Sequence, residues 1–83
     1  MTKRLMAREL VGIGKRIQLQ LNRHEMTERD LAKRMGVGVS TISRYVSGLR
    51  IPNATNIIAM CQIFDVSADW LLGITSLPRM YSF

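Results

Sequence analysis

The chain has 83 residues, of which 47% are hydrophobic and 22% charged, and a formal net charge of +6. This length holds one small core that buries roughly 60–65% of the unfolded surface. The composition excludes wholesale disorder and a fibrous repeat, and no run reaches the about 18 apolar residues that a membrane-spanning helix needs. Residues 1–50 hold 11 of the 12 Lys and Arg against Glu9, Glu25, Glu28 and Asp30, whereas residues 51–83 hold Arg79 against Asp65 and Asp69. A positive field concentrated in one part of the chain is the footprint of a polyanion binder, nucleic acid before acidic membrane.

Cys61 is the single cysteine, so neither an intramolecular disulfide nor a thiolate zinc cluster is available, which fits a reducing cytoplasm. The basic start, MTKRLMARELVGIGKR, is interrupted by Arg8 and Glu9 before any apolar run of signal-peptide length. The expectation is a cytoplasmic protein with no membrane segment.

In chain order, Met6, Leu10, Ile13, Ile17 and Leu21 recur on one narrow stripe and predict a first helix starting between Met6 and Gly12. Gly12 and Gly14 blur that start, since each costs about 1 kcal/mol relative to Ala inside a helix. Thr27 followed by Asp30 resembles a capping box and opens a second, short helix with Leu31, Ala32 and Met35 facing inward and Gly36 ending it. A third helix runs between Gly38 and Gly48. Asn53 caps a fourth, with Ile57, Ile58, Cys61 and Phe64 at core spacing, and Ser67 caps a fifth that carries Trp70, Leu71 and Leu72 and closes at Gly73. There is no strand signal. The domain reading is a basic extension over residues 1–11 that runs into helix one, a body over 12–73, and an apolar tail over 74–83.

The third helix is divided by chemistry. At 100° per residue, Ile42, Tyr45 and Val46 gather on one side and Ser40, Ser43, Arg44 and Ser47 on the other. One side has the character of core, and the other is a short-armed hydrogen-bonding surface with a single long cationic donor. Leu31, Ala32, Gly36, Val37, Ile42 and Tyr45 stand at the spacing of a helix-turn-helix. Ala32 is small where two helices cross, Gly36 takes a turn conformation that a β-carbon strains, and Ile42 plugs the angle between the helices.

With IGKRIQLQLN before this unit and GLRIPNATNIIAMCQIFDVSADWLLG after it, residues 12–73 resemble the phage repressor and Cro-like group, the XRE-type helix-turn-helix family. The resemblance implies an all-α fold, a compact bundle of five short helices of the lambda-repressor type, with the third helix in the major groove of double-stranded DNA. Val39, Ser40, Ser43, Arg44 and Ser47 would then meet base edges. Arg23, Thr27, Arg29, Lys33, Thr41, Arg50 and Asn53 would meet the backbone, helped by free amides at the starts of the second and fourth helices. The implied function is a sequence-specific transcriptional regulator, a repressor bound as a homodimer to an inverted repeat.

Two positions depart from the family pattern. Glu28 stands where many members use Gln on DNA, and its charge repels phosphate. Val46 stands where many carry a Glu paired with an arginine at the position of Arg16, which removes that pair and frees Arg16 for solvent or DNA. Trp70, Leu72, Leu77, Met80, Tyr81 and Phe83 are the candidates for dimer contact. The apolar tail also admits another reading, in which the main partner is a different polypeptide, as for an antitoxin with its toxin or a target of an antirepressor. The sequence carries no Ser/His/Asp set, no metal-ligand spacing and no phosphate-cradling glycine loop, so no catalytic residue, metal or cofactor is expected.

Overall fold

The computed structural model describes residues 7–75, with side chains from Gly12 onward. Among the described residues five helices follow one another: α1 Ala7–Arg23, α2 Glu28–Met35, α3 Val39–Ser47, α4 Ala54–Phe64 and α5 Ala68–Leu72. Helix α1 begins within the expected window, and residues 7–11 of the basic extension belong to it. Met6 and the tail from Ser76 to Phe83 lie outside the described residues.

Local chemistry sets the helix boundaries. The Asp30 amide donates to the Thr27 hydroxyl at 3.0 Å, and the Thr27 amide donates to the Asp30 carboxylate at 2.9 Å, which completes the capping box. Asn53 and Ser67 accept from the amides of Asn56 and Trp70 in the same way. Helix α2 stops at Gly36, whose φ of +71° is left-handed. A β-carbon there would meet nothing within 4 Å, so the backbone conformation, rather than lack of space, selects glycine.

The capping box makes stability pH-dependent in a stated direction. Its bonds from Thr27, the backbone amide first and the hydroxyl second, hold the Asp30 carboxyl below its ordinary value of 3.8. A depressed carboxyl stabilises the fold above that value and loses its contribution as pH falls through the folded pKa. The difference in melting temperature between wild type and Asp30→Asn should therefore be constant near neutrality and shrink below about pH 3.8. A gap that persisted undiminished in acid would remove the carboxylate from the account.

The core joins Ile13, Ile17 and Leu21 of α1, Leu31 and Ala32 of α2, Ile42 and Tyr45 of α3, Met60 and Phe64 of α4, and Trp70 and Leu71 of α5. Each fully buried aliphatic side chain contributes about 1.5–3 kcal/mol. Two expectations about α4 change. Ile58 is 57% exposed, while Met60 is fully buried. The buried stripe is centred on Ile57, Met60 and Phe64, and Ile58 lies about 100° around the helix from Ile57. Cys61 is half-buried at the edge of this stripe, and burial pushes its thiol pKa up, which makes it a small hydrophobe rather than a reactive group. The His24 ring lies 5.6 Å from that of Phe64 and covers the end of α4.

Helix α3 packs chiefly on α1 and α2, and α4 on α5 and α2. The α1–α3 crossing is made possible by Gly14. A β-carbon there would fall 2.3 Å from the Val46 carbonyl oxygen and 2.6 Å from that of Tyr45. The glycine that weakened the case for helix one is the residue that lets the third helix lie down on it.

Candidate nucleic-acid interface

Helix α3 is held from beneath and open above. Ile42 and Tyr45 are buried at 0% and 3% exposure, whereas Val39, Ser40, Ser43, Arg44 and Ser47 are exposed and Thr41 is half-buried. The division expected from helical periodicity is the division observed. Arg44 is the only charged side chain on the helix, and its guanidinium is a planar, forked donor. The Ser47 hydroxyl donates to the Arg44 carbonyl at 3.2 Å. That bond turns its proton back onto its own helix and leaves its oxygen lone pairs facing outward. The same carbonyl accepts the amides of Leu49 and Arg50, at 3.0 and 3.2 Å, so the loop after α3 is folded onto the helix end.

The flanking positions are basic and solvent-facing: Arg23, Arg29, Lys33 and Arg50 are all exposed, as are Thr27 and Asn53. The start of α2 differs from expectation in one respect. The Thr27 amide is not free, because Asp30 accepts it, and the forward-pointing amides of that helix are those of Glu28 and Arg29. The Thr27 hydroxyl accepts from the Asp30 amide and is itself engaged with the Asp30 carboxylate, so it belongs to the cap. At the start of α4 the Asn56 amide is capped by Asn53, and the Ile57 amide bonds the Asn53 carbonyl. The Ala54 and Thr55 amides then lie ahead of the first turn, at the positive end of the helix dipole.

Two residues that sequence reasoning passed over lie beside this surface. Asn56 donates through its side-chain Nδ2 to the Tyr45 hydroxyl at 2.8 Å and so links α4 to α3. Its spacing from Asn53 is a capping signal, but nothing local marks a partner eleven residues earlier. Leu49 is 81% exposed beside the end of α3, and no local sequence signal marks it.

Arg16 does not face this surface freely. Its guanidinium lies over Gly12 and over Gly73, the residue that closes α5; a β-carbon at Gly73 would come within 3.1 Å of both terminal nitrogens. With Val46 offering no carboxylate, the guanidinium rests at the negative end of α5 instead. Trp70 is 8% exposed and part of the core, while Leu72 is 37% exposed. Leu77, Met80, Tyr81 and Phe83 lie outside the described residues.

A family model described as Helix-turn-helix matches residues 17–71, a span that holds α2, the Gly36 turn and α3. The chain belongs to the XRE-type helix-turn-helix family. Among curated proteins of Bacillus subtilis (strain 168), it is 29% identical over 55 residues to the uncharacterized HTH-type transcriptional regulator YobD, covering 66% of this chain and 49% of that protein. It is 25% identical over 63 residues to the HTH-type transcriptional regulator ImmR, covering 76% of this chain and 50% of that one. The chain thus spans about half the length of these two relatives, both of which are named as HTH-type transcriptional regulators. No solved structure matches at the same stringency. No helix among the described residues is long and apolar enough to cross a membrane.

Proposed function

We propose that this protein is a sequence-specific, double-stranded DNA-binding transcriptional regulator, a cytoplasmic repressor that acts as a homodimer on an inverted-repeat operator. The observation that carries this reading is the outer face of α3. In a helix whose other side is locked into the core, four exposed residues with short side chains surround one exposed arginine. Such a surface fits a major groove about 12 Å wide, where Arg44 donates in bidentate fashion to the O6 and N7 of guanine. Val39 packs on a thymine methyl, and Ser40, Ser43 and Ser47 bond base edges directly or through water. Arg23, Thr27, Arg29, Lys33, Thr41, Arg50 and Asn53 hold phosphates and set the register without reading sequence.

One reading helix spans only a few base pairs, so useful selectivity calls for two copies on half-sites about one helical turn apart. Leu72 and the apolar tail over 74–83 supply the contact between them, and the body over 12–73 supplies the DNA surface. Repression requires nothing further than occupancy of the operator. The names of the two relatives support the regulatory part of this reading.

The test is selection of bound duplexes from a random library at about 0.15 M salt, with the enriched pool read for symmetry. An enriched inverted repeat is the expected result. A pool without a motif, bound only through a steep salt dependence, would reduce the interaction to unspecific charge and redirect attention to a protein partner such as a toxin or antirepressor.

A further inference from the structure

Asn56 is the third residue of α4 and is bonded in two directions. Its backbone amide donates to the Asn53 side chain at 2.9 Å, within the N-terminal cap. Its side-chain Nδ2 donates to the Tyr45 hydroxyl at 2.8 Å, across to α3. Tyr45 follows Arg44 directly and is 3% exposed, so its ring moves only with the reading helix. The two helices otherwise meet little, since α3 packs on α1 and α2 while α4 packs on α5 and α2. The loop between them exposes Leu49 at 81% and Ile51 at 48%, so these two side chains add little packing to hold it. Pro52 is its buried residue.

We propose that Asn56 is a positioning residue that keeps the phosphate-binding first turn of α4 in register with the base-reading face of α3. The inference rests on the function proposed above. On a duplex, the amides of Ala54 and Thr55 and the side chain of Arg44 must find a phosphate and a base edge at the same time. Base contacts are lost when the supporting geometry loosens by more than about half an ångström. Phosphate contacts tolerate such a shift, because any nearby phosphate attracts the same charge. The bond therefore acts on discrimination between sequences rather than on affinity as such.

The experiment compares wild type, Asn56→Ala, Tyr45→Phe and the double variant. Each is measured on the selected duplex and on a scrambled one, at a temperature where circular dichroism shows every variant used to be folded. Tyr45→Phe keeps the ring and its packing, so it remains informative if Asn56→Ala folds poorly. The expected result is a fall of about 3- to 10-fold in the ratio of the two affinities for each single variant. The double variant should be no worse than either single, and binding to the scrambled duplex should keep its strength and salt dependence. A merely structural role lowers both affinities together and leaves the ratio unchanged, which would overturn the inference. Losses that multiplied in the double variant would overturn it as well. If wild type discriminated and both single variants kept its ratio, only the positioning role would fall; if wild type itself failed to discriminate, the proposed function would fall and this inference with it.

Discussion

Gly14→Ala should destabilise the fold by about 1–3 kcal/mol net, lowering the melting temperature by roughly 4–24 °C in a domain of this size. On intrinsic propensity alone the change should help, since alanine is favoured over glycine in a helix by about 1 kcal/mol. Packing reverses the sign. The new methyl group would lie 2.3 Å from the Val46 carbonyl oxygen and 2.8 Å from its carbon, and both are backbone atoms that cannot rotate aside. Either α1 and α3 separate, opening the core around Ile13, Ile17 and Ile42, or α3 tilts and carries its outer face with it. Gly12→Ala supplies the control within the same helix. There the nearest obstacle is the end of the flexible Arg16 side chain, so the expected change is neutral or slightly stabilising. Thermal melts of the two variants decide the matter, and equal melting temperatures would remove the close crossing from the argument.

Arg44→Ala should weaken binding to the selected duplex by about 5- to 150-fold for each half-site, equivalent to the 1–3 kcal/mol of one bidentate guanine contact. The loss should be confined to specificity. Repeated selection with the variant should show one base pair of each half-site relaxed, with the others retained. Arg50→Ala is the contrasting case, for Arg50 follows the end of α3 in an exposed loop and serves phosphate in the proposed interface. That change should weaken all duplexes alike and flatten the dependence of affinity on salt by close to one unit of slope. If Arg44→Ala bound the selected site as tightly as wild type, the reading face has been assigned to the wrong residues.

Together these variants separate two demands on α3. The helix must be seated, which is the work of Gly14, Ile42 and Tyr45 on its inner side. It must also present Arg44 and its serines outward. The seat is a matter of packing, where a single methyl group is felt. The face is a matter of hydrogen-bond chemistry, and the fold tolerates its alteration because exposed polar positions contribute little to stability.

Much was legible in the residues themselves. The capping box of Thr27 and Asp30, the glycine stops at Gly36, Gly48 and Gly73, and the two faces of α3 all depend on neighbours within about four positions. Spacing along one helix therefore states them directly. The order of five helices followed from those signals, and the family from the residues at the helix-turn-helix spacing. Where the reading missed, the deciding partner was distant in sequence. Ile58 and Met60 of α4 are both apolar, and only the placement of α4 against its neighbours turned Met60 inward and left Ile58 in water. Gly14 read as a weakness of α1 until α3 was laid across it. Arg16 found the end of α5 rather than solvent or DNA, and Asn56 found Tyr45. The sequence alone determined which elements form, where they stop and which side of α3 meets water, because local hydrogen bonds and helical period decide these. Tertiary structure alone decided where helices touch closely and which polar groups pair across them, because those depend on how separate surfaces meet in space.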